Sequence, residues 1–279
     1  MIDYKNRSIK KEILDQNNIP FQDIVLNMKE LEFINAHLGG HSITIEGFKK
    51  LLQNRKEISI CEIGCGGGDN LKAIGNFCKK NSIICSFTGI DINKDCIALA
   101  KENLQRFTVS LPWPLCSSAT KENPAQSSSV SSSTAKENPA QLWPVSSPSI
   151  NVNFVVSDYK EINFAKEKKP DFIFSSLFCH HFSENELIEM LHWMKNNSAV
   201  GFFINDLHRH PVAYHFIKVA TKIFSKSYLV KNDAPLSVLR GFKKKEWKNI
   251  FHKAGIINYS IKWKWAFRFL IIVSVSANQ

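Results

Sequence analysis

A chain of 279 residues with 44% apolar side chains is long enough to bury a full hydrophobic core, and its longest apolar run (269–275) is far too short to cross a bilayer. The first residues are polar and lack the apolar block of a secretory signal, so we expect a cytoplasmic protein. The net charge of +11 would suit RNA or a membrane surface, but the lysines are spread along the chain, and we expect no nucleic acid and at most peripheral membrane contact.

The seven cysteines show neither a C-x-x-C pair nor the Cys/His spacing that is typical of zinc sites. They are therefore predicted to be reduced, buried thiols, and we expect no metal site.

The beginning of the chain is predicted to be helical. Residues 8–55 carry an apolar series that is interrupted at Gly39-Gly40, which indicates two helices with a break between them. We expect residues 1–55 to form a helical cap over a functional site in the main domain, which comprises residues 56–279.

Strands and helices alternate through the main domain. Strands are predicted at 58–63, 86–92, 153–157, 171–176, 200–205, 256–263 and 268–275. Helices are predicted at 70–80, 95–107, 184–195, 211–226 and 243–254, and the stretch 233–242 is predicted to be a loop. This order predicts an α/β fold with a doubly wound, mostly parallel seven-stranded sheet, an antiparallel last strand and additional N-terminal helices.

Residues 109–150 interrupt this alternation. The stretch Lys-Glu-Asn-Pro-Ala-Gln occurs at 121–126 and again at 136–141, and most of the residues between the two copies are serine. Such a composition buries too little apolar surface to order itself, so we expect a disordered, low-complexity insertion. A lid or a partner-binding segment is the alternative.

A glycine-rich turn joins the first predicted strand to the helix that follows it. A dinucleotide fingerprint would need a third glycine where Asp69 stands, and an acid at a helix start would repel a pyrophosphate. The frame that fits is Glu-x-Gly-x-Gly-x-Gly, on Glu62, Gly64, Gly66 and Gly68. Cys65 lies inside this frame.

This frame resembles the cofactor loop of class I S-adenosylmethionine-dependent methyltransferases, and the resemblance implies S-adenosylmethionine as cofactor. An acid at the end of the second strand, Asp91, suits the two ribose hydroxyls, and Ile92 follows it. The resemblance places Asp158 at the adenine amino group and Tyr159 beside the ring. A turn aspartate is the simpler alternative for Asp158.

The stretch after the fourth strand is similar to the (S/N)-x-x-x-H-H motif of methyltransferases of the ubiquinone/menaquinone-biosynthesis type. This resemblance implies that Ser175 and Ser176 lie by the sulfonium and that His180 and His181 begin the acceptor pocket, with His181 as a catalytic candidate. The alternative is that one histidine only packs and hydrogen-bonds the loop.

Polar residues also follow the fifth strand, where open α/β sheets place their ligands. A histidine with a pKa near ~6.5 can remove the proton of a phenol during methyl transfer. We therefore predict His208 as the general base, with Asp206 or Arg209 orienting the base or the acceptor. A polar helix-entry loop is the alternative. His41 and Arg240 are further acceptor-contact candidates.

The helix predicted at 211–226 has an apolar side and a stripe formed by Lys218, Lys222 and Lys226. A solvated lysine face is expected, and contact with an anionic membrane is the alternative.

Outside the insertion, the chain resembles methyltransferases found beside polyketide-type biosynthetic enzymes, on Leu38-Gly39-Gly40-His41, 205–209, 236–240 and 265–268. This resemblance implies a small aromatic, polyketide or quinone-like acceptor, methylated on oxygen or carbon, and partner enzymes of a biosynthetic pathway. Two alternatives remain, a nucleic-acid methyltransferase and a non-catalytic cofactor-binding subunit. The chain lacks the Asn/Asp-Pro-Pro-aromatic turn and the Pro-Cys pair of nucleic-acid enzymes.

Overall fold

The computed structural model describes residues 2–16, 18–109, 150–164 and 168–275. These residues form a seven-stranded sheet in the order β3-β2-β1-β4-β5-β7-β6. The strands are β1 (Glu57–Ile63), β2 (Ile84–Asp91), β3 (Ile150–Val156), β4 (Phe172–Ser176), β5 (Gly201–Leu207), β6 (Tyr259–Lys264) and β7 (Arg268–Ser274). The first five strands are parallel, and β7 runs antiparallel to β5 and β6. The predicted fold is confirmed.

Helices cover both faces of this sheet. They are α1 (Phe21–His37), α2 (Gly40–Leu52), α3 (Asp69–Lys80), α4 (Lys94–Val109), α5 (Glu184–Asn197), α6 (Pro211–Phe224), α7 (Tyr228–Arg240) and α8 (Lys244–Lys253). Successive side chains of β1 enter different cores. Ile58 and Ile60 pack in a cluster with α2 and α3, while Cys61 and Ile63 pack in one with α5 and α8. A strand buried on both faces therefore has a nearly continuous apolar run.

The N-terminal segment differs from the helix predicted from residue 8. The described residues before Pro20 form loops and one 3-10 turn (Ile13–Asp15), and α1 begins only after Pro20. A residue far along the chain stabilises this turn, because the backbone N–H groups of Ile13 and Leu14 donate to the Asp233 carboxylate at 2.9 Å each. The predicted break between two helices is confirmed at Gly39, whose φ is +74°.

The loop predicted at 233–242 is wrong, because residues up to Arg240 belong to α7. Pro235 lies inside this helix and removes one backbone hydrogen bond. Burial of Leu229, Val230 and Val238 holds the helix in place. Tertiary packing therefore overrides the local signal of the proline.

The predicted insertion at 109–150 lies outside the described residues except for its ends, where α4 stops and β3 starts. The division of the chain at residue 55 also stays a prediction. The six cysteines in the described part are buried and unpaired. No helix among the described residues is both long enough and apolar enough to cross a membrane.

Candidate active site

The glycine turn after β1 has a backbone conformation that favours glycine. Gly64, Gly66 and Gly68 have φ angles of +67°, +50° and +77°. A Cβ on Gly64 would also lie 2.2 Å from the ring of Phe178. The turn thus passes close to the loop after β4, and Gly64, Cys65 and Gly66 line a large cavity.

Glu62 supports this turn from within the core. It is fully buried, and Asn70, which lines the cavity, donates a hydrogen bond to its Oε1 at 3.1 Å. Burial, reinforced by the nearby Asp69 carboxylate, raises the pKa of Glu62 well above its ordinary value. Glu62 and Gly68 do not themselves line the cavity, so they shape the cofactor loop from behind.

Asp91 lies at the end of β2 and lines the cavity. Its Oδ2 accepts a hydrogen bond from the Gly66 N–H and its Oδ1 accepts one from the Asn93 N–H, both at 2.9 Å. Each carboxylate oxygen keeps a further lone pair for a ribose hydroxyl. Burial raises the pKa of Asp91 despite these bonds. Ile92 also lines the cavity and exposes an apolar side chain on which an adenine can lie.

Asp158 and Tyr159 line the same cavity after β3. Asp158 caps a 3-10 turn by accepting a hydrogen bond from the Lys160 N–H at 3.0 Å, which leaves its second oxygen for a ligand. The Tyr159 ring is buried against Trp193, and its hydroxyl has no hydrogen-bond partner among the described residues. The second carboxylate oxygen of Asp158 and the Tyr159 hydroxyl thus lie on the residues predicted to hold the adenine, and these residues fit an adenosine-containing cofactor.

Ser175 does not reach the cavity, which corrects its predicted place by the sulfonium. It is fully buried, and its Oγ lies 3.4 Å from the Cys179 Sγ. Ser176, predicted beside the sulfonium together with Ser175, does line the cavity, because successive side chains of a strand point to opposite faces.

The two adjacent histidines lie on a 3-10 turn and both line the cavity. The Nδ1 of His180 lies 2.8 Å from Asp206 Oδ1, and its Nε2 lies 3.5 Å from Glu12 Oε1. The Nδ1 of His181 lies 3.0 Å from Asp15 Oδ1, and its Nε2 lies 3.8 Å from Glu12 Oε2. The N-terminal segment therefore supplies two carboxylates to the histidine turn.

These charges perturb one another strongly. Burial lowers the pKa of His180, but the Asp206 and Glu12 carboxylates outweigh burial and raise that pKa to about 9. Burial would raise the pKa of Asp206 and of Glu12, but the histidines hold both below their ordinary values. Asp206 does not line the cavity, so it acts on the site through His180.

His208 lies outside the cavity, which corrects its predicted role as base. Its ring lies beside Phe269, with 4.9 Å between centroids, and its Nδ1 is buried without a hydrogen-bond partner in the described part of the chain. Burial, followed by the positive charges of His210 and Arg209, lowers the pKa of His208 to about 4.

Arg209 does not line the cavity either, so the structure gives no support to its predicted contact with the acceptor. Its buried guanidinium donates hydrogen bonds to the carbonyl oxygens of Tyr4, Lys5 and Gly241 and pairs with Glu246. Arg209 therefore anchors the N-terminal segment.

The last two acceptor candidates have supporting contacts. Arg240 lines the cavity, and its guanidinium donates to the carbonyl oxygens of His180 at 3.1 Å and His181 at 2.8 Å. His41 does not line the cavity, and its Nε2 lies 2.8 Å from Asp69 Oδ2. The structure therefore connects Arg240 with the histidine turn and His41 with the start of α3.

One cavity of about 1730 Å³ joins these groups. Its lining runs from the glycine turn and Asp91 to the histidine turn, and α1 covers part of it with Ile24 and Met28. A pocket for one drug-sized ligand is typically about 300–1,000 Å³. The cavity has room for a nucleoside cofactor and a second molecule beside it.

Comparisons with known proteins agree with this geometry. The model of the methyltransferase domain family matches residues 41–260, and the chain belongs to this family. This match confirms the resemblance to class I S-adenosylmethionine-dependent methyltransferases, whereas the quinone-biosynthesis subgroup stays a prediction. No protein of curated function matches the sequence.

Solved structures share the fold at low sequence identity. The plantazolicin methyltransferase BpumL in complex with SAH has a TM-score of 0.55 and 15% identity, over 90% of this chain and 89% of BpumL. A SAM-dependent methyltransferase from Aquifex aeolicus has a TM-score of 0.54 and 14% identity, over 92% and 100% of the two chains. The plantazolicin methyltransferase BamL has a TM-score of 0.50 and 18% identity, over 86% and 70%.

Proposed function

We propose that this chain transfers a methyl group from S-adenosylmethionine to an oxygen or carbon atom of a small aromatic, polyketide or quinone-like acceptor. The cofactor is S-adenosylmethionine. One observation carries the proposal: the glycine turn with Asp91 and the turn with His180 and His181 line the same cavity. A cytoplasmic location and partner enzymes of a biosynthetic pathway stay predictions.

The half of the cavity that contains the glycine turn would hold the cofactor. Asp91 would accept hydrogen bonds from the ribose hydroxyls, Asp158 would accept one from the adenine amino group, and Ile92 would pack on the ring. Because the glycines carry no side chain, a ligand can approach the backbone of the turn closely. When bound, S-adenosylmethionine supplies a methyl group already activated by its sulfonium.

The other half would hold the acceptor. In an in-line displacement the carbon–sulfur bond breaks as the bond to the acceptor forms, and an acceptor hydroxyl also loses its proton. The protein therefore mainly orients two reactants. His181 and Ser176 line this half, and the wall of the cavity also includes Ile24 and Met28 of α1. The role predicted for His208 passes to the histidine turn, because that turn faces the cavity.

Transfer of a tritiated methyl group tests the proposal. The purified chain is incubated with labelled S-adenosylmethionine and, in separate reactions, with a panel of phenols and hydroquinones and with total RNA. We expect label in at least one small aromatic acceptor and none in RNA. Labelled RNA without a labelled phenol would make it a nucleic-acid enzyme, and cofactor binding without any transfer would favour the non-catalytic subunit.

A matched pair of variants connects the activity with the site. His181→Asn changes a side chain that lines the cavity, whereas His208→Asn changes one that does not. We expect the His181 variant to lose most of its turnover while it still binds S-adenosylhomocysteine, and we expect the His208 variant to keep both at neutral pH. The reverse result would return the acceptor site to the end of β5.

A further inference from the structure

Three side chains converge where the N-terminal segment meets the histidine turn. One ligand atom from each of Glu12, His180 and His181 lies within 4.8 Å of the other two. The distances from the two Nε2 atoms to the Glu12 oxygens, 3.5 Å for His180 and 3.8 Å for His181, are longer than an ordinary hydrogen bond of about 2.7–3.2 Å. They are close to the ~3.3 Å between neighbouring ligand atoms of a tetrahedral ion with bonds of about 2.0–2.1 Å.

The outer contacts of these ligands fit a metal site. Each histidine has its Nδ1 on a separate carboxylate, Asp206 for His180 and Asp15 for His181. The raised pKa of His180 means that its ring gives up one proton when an ion binds. With Nδ1–H donating to a carboxylate, each Nε2 lone pair is then directed at Glu12, which is the arrangement found around metal-binding histidines. Ser237 Oγ donates to Glu12 Oε1 at 2.7 Å and fixes the third ligand.

The local charge favours a cation. The carboxylates of Glu12, Asp15 and Asp206 surround the two rings. Arg240 opposes this charge, with its Nε 4.0 Å from Glu12 Oε1 and its Nη1 3.9 Å from Asp15 Oδ2. The Arg7 guanidinium, which donates to the His180 carbonyl oxygen at 3.0 Å, opposes it as well. The buried carboxylates of Glu12 and Asp206 and the partly exposed carboxylate of Asp15 would offset the charge of a bound divalent ion.

We propose that Glu12, His180 and His181 bind one divalent transition-metal ion, of the zinc, iron(II) or manganese(II) type, at the acceptor end of the cavity. Two imidazoles and one carboxylate suit these ions. All three ligands line the cavity, so the remaining coordination positions face it. Binding of the acceptor oxygen at such a position rests on the proposed function, whereas the metal site itself does not.

Metal binding by the full chain without an affinity tag tests this site. The protein is stripped with a chelator and titrated with Zn²⁺ by calorimetry and with Co²⁺ by its visible absorption, which reports the coordination geometry. We expect one ion per chain with a tetrahedral or five-coordinate cobalt spectrum. Glu12→Gln and His181→Asn should each weaken binding at least tenfold, and Asp206→Asn should weaken it about tenfold through His180.

The exposed His252 near the end of α8 provides the matched control, since His252→Asn removes a histidine far from the cluster and should leave metal binding unchanged. Binding of S-adenosylhomocysteine by each variant shows that it is folded. Absence of stoichiometric binding to the wild-type chain, or equal binding by Glu12→Gln, would overturn the proposal. The titration contains no acceptor, so failure of methyl transfer would leave its result intact.

A second observation concerns the outer face of α6. Val212, Phe216, Val219 and Ile223 recur at steps of four, three and four residues, and each is more than half exposed. This spacing puts them on one side of the helix. Soluble monomers rarely expose such a continuous apolar stripe.

Two further features indicate what covers the stripe. Val212 and Phe216 also line the cavity, so the stripe begins at the mouth of the site. Lys218, Lys222 and Lys226 are exposed beside it, in a chain with a net charge of +11. Apolar and aromatic side chains flanked by lysines are typical of helices that lie on an anionic lipid surface.

The geometry points to an anionic membrane as the partner of the α6 stripe, where a lipophilic acceptor could enter the cavity directly. Co-sedimentation with vesicles tests this. We expect binding to phosphatidylcholine vesicles with 30% phosphatidylserine, weaker binding to phosphatidylcholine alone, and a decrease at high salt. Val219→Glu with Ile223→Glu should reduce binding at least tenfold.

Ile257→Glu is the control, because Ile257 is an exposed apolar residue outside α6 and should not affect sedimentation. Equal loss in this control, or no binding to anionic vesicles, would contradict the proposal. A dimer in solution that the double α6 variant dissociates would make a second copy of the chain the partner and would equally overturn it.

Discussion

Replacement of Asp91 by alanine should weaken cofactor binding about a hundredfold while the fold persists. The carboxylate accepts two backbone hydrogen bonds and would accept two more from the ribose hydroxyls. A hydrogen bond to a charged group contributes about 1.5–3 kcal/mol, so loss of both ribose bonds costs at least about 3 kcal/mol. Since 1.4 kcal/mol is tenfold in affinity, the Kd for S-adenosylhomocysteine should rise about a hundredfold.

Calorimetric titration with S-adenosylhomocysteine measures this change. Asp91→Asn keeps the shape and one acceptor oxygen, and its Kd should rise about tenfold. Glu189→Gln is the control, because it removes an exposed carboxylate whose partner is Lys160, and its Kd should match the wild-type value. If Asp91→Ala binds within twofold of wild type, Asp91 does not contact the ribose and the assignment of the cofactor half is wrong.

Three further predictions concern stability, and the first two can be measured by urea unfolding. Gly64→Ala should lower the free energy of unfolding by about 1–3 kcal/mol more than Gly255→Ala does. Both glycines have a positive φ, but only a Cβ on Gly64 would meet a ring, that of Phe178. Equal losses of unfolding free energy in the two variants would contradict this close approach. Because the pKa of His208 is lower in the folded than in the unfolded chain, the unfolded chain binds this proton more readily. The free energy of unfolding should therefore be constant above about pH 6.5 and decrease towards pH 4, by on the order of 1–2 kcal/mol for a half-exposed ring. His208→Asn should remove this part of the pH dependence, and an unchanged dependence of the unfolding free energy on pH would refute the prediction. Arg209→Met should leave three backbone carbonyls without their donor, which lowers the melting temperature and exposes the N-terminal segment to limited proteolysis; an unchanged cleavage rate would contradict the anchoring role.

The cofactor half could be predicted from the sequence because its signals are local. Glycines at alternate positions after an apolar strand indicate a turn with positive φ, and the structure has that conformation at Gly64, Gly66 and Gly68. Acids directly after strands, such as Asp91, meet at one edge because the strands are parallel. The strand, the glycine turn and the acid all lie within about thirty residues of the sequence, so each can be recognised from local patterns.

The acceptor half could not be predicted in the same way, because its contacts join distant segments. Glu12 and His180 are separated by 168 residues in the chain, and no periodicity or motif in the sequence indicates that Glu12 contacts His180. Arg209 carries a charge directly after a strand, as a ligand-binding residue would, but its guanidinium donates to backbone carbonyl oxygens of the N-terminal segment instead. The choice between Ser175 and Ser176 depends on which face of β4 is covered, which is a tertiary property.

The crystal structure of the chain with S-adenosylhomocysteine tests the central claim most directly, that one cavity places the cofactor's sulfur before the histidine turn. The account predicts that the ribose hydroxyls lie within hydrogen-bond distance of the Asp91 carboxylate and that the sulfur faces His180 and His181. A sulfur that faces away from this turn, or a nucleoside bound elsewhere than at Asp91, would contradict it.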